Sequence, residues 1–286
     1  MINAHERCLI AVDLDDTALQ DLRELNPVTR MVLRKAAADG HRVMLATARP
    51  SCMTMEHYQA LELDTPLCLS NGADYFLPGD SSFPPGRDYI PSGRLREILS
   101  LCPQRILKGV WVENDDELRV SRGWMGEESS YFREMYNRSR VRALWPENPP
   151  GEGAGRLFLW VEESPEAPWL LAQLRLFPGI EVKSRPWQQD SGVRIYSLGS
   201  VFANKWYCVE KTAAYYGIPP ERIIAFGDAL NDLRMLQNAA QGFAMCNGDE
   251  QVRRVSSLRI TRWTNQEGGV GRELNELLHL GLELDG

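Results

Sequence analysis

Asp13, Asp15 and Asp16 place three carboxylates within four positions, and Thr17 follows them directly. Like charges this close raise one another's pKa unless a cation compensates. Oxygen-only donors favour a hard cation, Mg²⁺ first. Three distant segments carry matching groups: Thr47, Lys205, and the trio Asp228, Asn231 and Asp232. A hydroxyl, an ammonium and carboxylates around Mg²⁺ suit phosphoryl transfer. The metal and the ammonium neutralise the phosphate, the hydroxyl orients it and one carboxylate attacks. Aspartate is a known covalent acceptor of phosphoryl groups.

These groups need a scaffold that gathers them. The run Cys8-Leu-Ile-Ala-Val12 reads as a short buried strand of a parallel sheet, ending at Asp13. Acids at such a strand end fall on the carboxyl edge, where open α/β sheets bind ligands. Asn26-Pro27 reads as helix cap and first helical residue, with the helix running to about Asp39 and Gly40 closing it. A strand over 41–46 leads into Thr47-Ala48-Arg49-Pro50, a helix spans about 51–61, and a third strand over 66–69 leads to Ser70-Asn71-Gly72-Ala73. This βαβαβ rhythm predicts a parallel sheet with right-handed crossovers.

From about Leu77 the rhythm changes. A turn-rich stretch over 79–86 precedes a helix (92–101), strands (107–113, 117–121), a helical stretch (127–138) and a loop (147–155). A strand (156–162), a helix opened by Ser164-Pro165 and strands at 179–184 and 192–198 follow. Trp111, Trp124, Trp145, Trp160, Trp169 and Trp187 fall in this region and read as core and module interface. The α/β rhythm returns with a helix from 201 to 216 that carries Lys205 near its start. A strand (222–226) then ends in Gly227-Asp228-Ala-Leu-Asn231-Asp232, followed by a helix to about 239, a strand (242–245) and a last helix (271–280). The expected fold class is α/β. A doubly wound, Rossmann-like parallel-sheet core is formed by 1–79 and 196–286, with an α+β module inserted at 80–195.

Asp13-Leu-Asp15-Asp16-Thr17 resembles the D-x-D-x-T signature of the haloacid dehalogenase-like (HAD) superfamily. Thr47 matches its second motif, Lys205 its third and Gly227-Asp228-Ala-Leu-Asn231-Asp232 its fourth. Motif order and the place of the insert resemble the Cof-like phosphatases with a C2-type (IIB) cap, as does Ser70-Asn71-Gly72-Ala73. The resemblance implies that Asp13 is a nucleophile and that Asp15 protonates the leaving alkoxide and later activates water. It implies Mg²⁺ held by Asp13, the Asp15 carbonyl and Asp228. Thr47, Ala48, Lys205 and Asn231 would hold the phosphoryl group, with Asp232, Thr17 and Arg49 in support. Two positions depart from the pattern: Asp16 stands where the subfamily mostly has Gly, and Ala48 replaces a common Gly.

Bland readings exist for each. Thr47 could cap a helix, Lys205 could be a solvated helix lysine with Lys211 as its rival, and Asp232 could be a first-turn acid facing the macrodipole. Arg49 stands between a substrate contact and a local salt bridge. Gly151-Glu-Gly-Ala-Gly155 resembles a phosphate loop, but it precedes a strand rather than opening a helix. The four histidines show no metal spacing.

Composition sets outer limits. Net charge is −7 without a basic block, which argues against nucleic acid and anionic membrane as partners. No run approaches the roughly 20 apolar residues of a membrane span, and a secretory signal is not expected, since 1–6 is polar. The six cysteines are scattered without a Cys-x-x-Cys pair, which fits a reducing cytoplasm. The expectation is a Mg²⁺-dependent phosphatase, monomeric or a small homo-oligomer, acting on a small phosphate ester such as a sugar phosphate. A phosphosugar mutase is the alternative within the superfamily; a receiver-type phospho-acceptor or a non-catalytic sensor is the alternative outside it.

Overall fold

The structure is a computed structural model that describes residues 6–114, 117–121, 129–143 and 151–284. The chain forms two compact units. One comprises Met1–Arg49, Thr54–Pro85 and Asn204–Gly286, the other Pro50–Met53 and Gly86–Ala203.

The first unit opens with β1 (Leu9–Val12), α1 (Pro27–Ala38), β2 (Arg42–Leu45), α2 (Met55–Ala60), β3 (Leu67–Leu69) and β4 (Asp74–Phe76). The second holds β5 (Gly86–Arg87), α3 (Ser92–Leu101), β6 (Leu107–Asn114), β7 (Glu117–Val120), α4 (Ser130–Arg138), β8 (Arg140–Ala143), β9 (Arg156–Glu162), α5 (Ala167–Leu174), β10 (Ile180–Trp187) and β11 (Asp190–Ser200). The first unit resumes with α6 (Lys205–Tyr215), β12 (Ile223–Gly227), α7 (Leu233–Asn238), β13 (Gln241–Ala244), α8 (Glu250–Arg253), β14 (Arg259–Ile260) and α9 (Gly269–Leu277).

In the first unit a parallel sheet runs β14-β13-β12-β1-β2. β1 is buried along its whole length, and its residues alternate between two apolar layers. Ile10 and Val12 pack with Val32, Leu33 and Leu274 from α1 and α9. Leu9 and Ala11 pack with Cys208 and Val209 from α6. Burial on both faces is why this strand is apolar throughout rather than alternating. Val12 pairs with Leu45 on one side and Phe226 on the other, so β1, β2 and β12 end together. The residues that follow, Asp13, Ala46-Thr47 and Gly227-Asp228, therefore share one edge. Asn26 caps α1 by accepting from the N–H groups of Val28 and Thr29.

The third expected strand lies parallel beside the end of β2, through an Ala46–Cys68 bridge and the Thr47 N–H donating to the Cys68 carbonyl (2.9 Å). β3 also pairs antiparallel with β4. The tight reversal between β3 and β4 is made by Ser70, Asn71 and Gly72, which all have positive φ (49°, 63° and 93°). The helix expected over 51–61 is also split, into a turn at Ser51–Met53 and α2.

The second unit is a six-stranded sheet in the order β10-β11-β9-β6-β7-β8, antiparallel except for β7–β8. The apolar alternation of β9 serves two layers. Leu157, Leu159 and Val161 meet α3 and α5 through Leu95, Ile98, Leu170 and Leu174. Phe158 and Trp160 join Trp111, Phe132 and Trp187 on the other face. The boundary expected at 195/196 falls inside β11, which pairs with β9 as far as Gly199; the unit ends at Ala203, and its start lies at Gly86 rather than 80. Trp169 is 48% exposed, so it is not a core residue as expected, while Trp124 and Trp145 lie outside the described residues. Residues 127–128 and 147–150 of the expected helix and loop also lie outside them. The glycine-rich loop ends in a structural join, with Ala154 and Ile90 exchanging backbone hydrogen bonds. Strand β8, Arg-Val-Arg-Ala, was not anticipated because its apolar signal is weak. Among the described residues no helix is long and apolar enough to cross a membrane.

Candidate active site

Asp13 sits one step beyond β1. Its N–H donates to the Phe226 carbonyl (3.1 Å), and it is 4% exposed. The chain then enters a wide turn in which Ala18 N–H reaches back to Asp13 O (3.3 Å) and Leu19 N–H to Leu14 O (2.9 Å). Asp16 takes the left-handed conformation in this turn (φ 53°). Aspartate adopts it at less cost than most residues, though at more than glycine. Asp15 meets Arg49, whose Nε lies 3.1 and 2.9 Å from its two carboxylate oxygens and whose Nη2 lies 2.5 Å from Oδ1. Arg49 is almost fully buried and also donates to the Leu22 carbonyl (2.7 Å).

Lys205 begins α6, capped by Asn204 Oδ1, which accepts from Tyr207 N–H (2.9 Å). Gly72 packs against this helix start: a Cβ there would lie 2.4 Å from the Asn204 carbonyl oxygen, so only glycine admits the approach. Lys205 Nζ donates to Asp13 Oδ1 and Asp232 Oδ1, each at 2.6 Å. The rival Lys211 lies over the Tyr207 ring instead. Asp232 is fully buried, and its other oxygen accepts from Asp228 N–H (3.2 Å) and Ala229 N–H (3.1 Å). That ties the loop after β12 to the lysine. Gly227 is required in the same loop, since a Cβ there would fall 2.5 Å from the Asp232 side chain.

The electrostatics show a cation deficit. Burial pushes the Asp13 carboxyl well above its usual range; Lys205 opposes this, and Asp232, Asp228 and Asp15 add to it. Burial and Asp232 likewise raise Asp228 to about 7. Burial disfavours the Lys205 ammonium, but Asp13 and Asp232 outweigh it and hold its pKa above the ordinary lysine value. The two directions agree physically: one ammonium is shared among more carboxylates than it can neutralise. Ligand oxygens of Asp13, Asp228 and Asp232 lie within 4.8 Å of one another. Both Asp232 oxygens are already engaged, which leaves Asp13 and Asp228 as the side chains with free oxygens. The all-oxygen donor set and the uncompensated charge fit a hard divalent cation.

The other expected residues occupy the same edge with more varied partners. Thr47 is fully buried, and its Oγ1 accepts from Arg49 N–H (3.1 Å). Its backbone carbonyl accepts from Asn71 N–H (2.9 Å), while Ala48 follows, half-buried. Thr17 Oγ1 is buried with no hydrogen-bond partner. Asn231 Nδ2 donates to Asn71 Oδ1 (2.8 Å), joining the loop after β12 to the reversal after β3. Sequence reasoning named Asn71 without giving it a role, and it missed Asn247, whose Nδ2 donates to Asp16 O (2.8 Å). The available signal for Asn247 was an Asn-Gly pair three residues past the end of a strand.

The haloacid dehalogenase-like hydrolase family model matches residues 10–274. The chain belongs to that family. As a HAD hydrolase it is 30% identical over 275 residues to the 5-amino-6-(5-phospho-D-ribitylamino)uracil phosphatase of Bacillus subtilis, covering 95% of this chain and 98% of that one. It is 25% identical to a pyridoxal phosphate phosphatase of Escherichia coli, over 88% and 92% of the two chains. Among solved structures, a haloacid dehalogenase-like hydrolase from Bacteroides thetaiotaomicron superposes with a TM-score of 0.77 at 20% identity, covering 95% of this chain and all of the other. A HAD subclass IIB sugar phosphatase gives 0.75 at 18% identity, over 94% and 98%. The chain is an enzyme, a HAD-type phosphatase, and its HAD fold is the Cof-like arrangement of parallel-sheet core and inserted module.

Proposed function

We propose that this HAD phosphatase hydrolyses a small sugar or sugar-alcohol phosphate, with Mg²⁺, through a phosphoryl group carried on Asp13. The observation that supports this most strongly is the charge imbalance at the edge of the sheet, where Lys205 is shared by Asp13 and Asp232 and Asp228 is raised to about 7. A dianionic phosphate could not approach such an acidic edge without a second cation. Asp13, Asp228 and the Asp15 backbone carbonyl would hold it, and when bound it supplies charge neutralisation for the transferring phosphoryl oxygens.

In this reading the Asp13 oxygen not held by Lys205 attacks phosphorus, and the ester oxygen leaves. Asp15 delivers a proton to that oxygen. Arg49, paired with Asp15 through two nitrogens, stabilises the carboxylate this leaves behind. The same carboxylate then takes a proton from the water that cleaves the aspartyl phosphate. Lys205, the Thr47 hydroxyl and the Ala48 N–H hold phosphoryl oxygens, and Asn231 supports them. The substrate class follows from the ribityl phosphate in the name of the Bacillus relative and the sugar phosphates of the subclass IIB enzyme. The inserted unit would choose among such esters. Six free cysteines suit a reducing cytoplasm.

The test is phosphate release across a panel of sugar, polyol, nucleotide and cofactor phosphates, with and without Mg²⁺. Turnover that EDTA stops and Mg²⁺ restores, without a bisphosphate activator, is the expected result. Metal-independent turnover would refute the cation, and a stable phosphoprotein without turnover would refute hydrolysis.

A further inference from the structure

The turn after β13 touches both acid-bearing loops. Asn247 Nδ2 donates to the backbone carbonyl of Asp16 (2.8 Å). Two residues on, Asp249 N–H donates to the backbone carbonyl of Asp228 (2.8 Å). The turn is itself anchored. Met245 N–H bonds Gly227 O (2.9 Å), Gly248 N–H bonds Met245 O (2.9 Å), and Cys246 N–H bonds Thr261 Oγ1 (3.0 Å). Asn247 is fixed from behind by Asn265, whose N–H donates to Asn247 Oδ1 (3.0 Å). The Asn265 side chain, 6% exposed, donates in turn to the Leu19 carbonyl (2.8 Å) at the far end of the Asp13–Leu19 turn.

We propose that Asn247 is a positioning residue for the cation site, and that 245–249 acts as a brace fixing the distance between the Asp13/Asp15 loop and the Asp228 loop. The inference rests on the reading of Asp13, Asp15 and Asp228 as the cation's ligands. The physical reason lies in Asp16. A non-glycine residue at φ 53° sits in a sparsely populated region and persists only where its surroundings hold it there. The Asp13 and Asp15 side chains are held by Lys205 and Arg49, while repulsion between the Asp13 and Asp228 carboxylates acts to part the two loops. An amide donated to the Asp16 carbonyl resists both tendencies, because it fixes the Asp16–Thr17 peptide, the one after the peptide that carries the Asp15 carbonyl, and occupies no carboxylate oxygen. The brace is neutral, so it does not compete with the cation for those oxygens. It also explains why Asn247 belongs to the site although it touches neither the nucleophile nor any group expected to meet the substrate.

The test measures metal binding without turnover, as the Mg²⁺ dependence of the melting temperature of the wild type and of Asn247→Ala, in the absence of substrate. Binding to the folded state alone raises Tm with ligand concentration. Outer-shell partners of metal ligands typically contribute 10–100-fold in affinity. Asn247→Ala is therefore expected to need about 10–100-fold more Mg²⁺ for the same stabilisation, with the metal-free melting transition still cooperative. Asn247→Ser, which leaves a small polar group in the turn, serves the same comparison if the alanine variant does not fold. A variant that melts lower without metal but has an unchanged Mg²⁺ midpoint overturns the brace and makes Asn247 a purely structural residue. A wild type that Mg²⁺ does not stabilise at all overturns the cation reading itself, and the brace with it.

Discussion

Each unit buries a cluster of charged side chains, and these two are built on opposite principles. In the inserted unit, Glu113 and Arg156 face each other across β6 and β9, with Nε–Oε2 at 2.8 Å. The other Glu113 oxygen takes Trp111 Nε1 (3.1 Å), and Arg156 also donates to Tyr131 OH (2.9 Å) and lies over the Phe158 ring. In direct contact one cation meets one anion, with Trp111 and Tyr131 as their further partners. In the parallel-sheet unit one ammonium serves Asp13 and Asp232, Asp228 is left high at about 7, and the Thr17 hydroxyl has no partner. Both clusters are buried and both perturb pKa values, so neither property separates them. Stoichiometry does: the first cluster pairs its charges in contact, and the second, in the proposed function, is completed by a cation.

The sharpest way to break this contrast is Asp13→Asn. In the unbalanced cluster it removes the proposed nucleophile and one repulsive charge together. Turnover should fall at least about ten-thousandfold, equivalent to roughly 5 kcal/mol or more in the barrier. The metal-free protein should melt no lower than wild type, because the lost contact with Lys205 is offset by relief of repulsion from Asp228 and Asp15. Steady-state kinetics and a thermal melt on the same preparation decide it. Near-normal hydrolysis would sink the covalent route, and a large loss of stability would show that the cluster is structural after all.

Arg156→Met should behave in the reverse way. It strands Glu113, a carboxylate 3% exposed whose pKa burial already raises despite the guanidinium beside it. Leaving one member of a buried pair alone typically costs about 3–5 kcal/mol, to be read by denaturant unfolding. Replacing both partners with apolar residues, Glu113→Leu with Arg156→Met, should recover much of that loss. The Mg²⁺ dependence of Tm should stay unchanged in both variants. A shift in it would mean that the balanced cluster also serves the site.

The parallel sheet and its edge were legible because their signals are local. A short apolar strand ending in acids, a capped helix and a glycine-marked loop each mean the same thing in sequence and in space. Asp13, Thr47 and Asp228 could be placed on one edge from strand ends, and Lys205 from the start of the returning helix. What could not be read is what long side chains do after the backbone has placed them. Arg49 was balanced between two uses; it reaches across the edge to Asp15, over a separation of 34 residues. Asn247 reaches Asp16 over 231. The antiparallel return from β3 to β4 was not legible, because nothing in the residues of β3 reports that the reversal after it has three successive positive φ values. The Glu113–Arg156 pair depends on cross-strand register, which the alternation of β6 and β9 does not specify.

Acid titration sharpens the contrast from a third position, a buried titratable group held by a neutral hydrogen bond. His41, 5% exposed, accepts the Cys8 N–H at Nδ1 (3.2 Å) where α1 returns to β2. Burial lowers its pKa, and the nearby Asp39 only partly opposes this. Protonation would put a hydrogen on Nδ1 against the Cys8 N–H. The folded state therefore binds this proton less readily than the unfolded chain. The stabilisation is fully present above the unfolded value of about 6.5 and is lost as pH falls through it towards the lower folded value. One proton limits the slope to about 1.4 kcal/mol per pH unit, and partial solvation keeps the effect below that limit, so this is the smallest of the three. Denaturant unfolding at pH 7 and pH 5 should show a loss that His41→Gln reduces, since glutamine can accept the same N–H without titrating. An undiminished loss in that variant would refute the His41 assignment, because the raised Asp13 and Asp228 carboxyls of the sheet edge add stability, rather than remove it, as pH falls through this range.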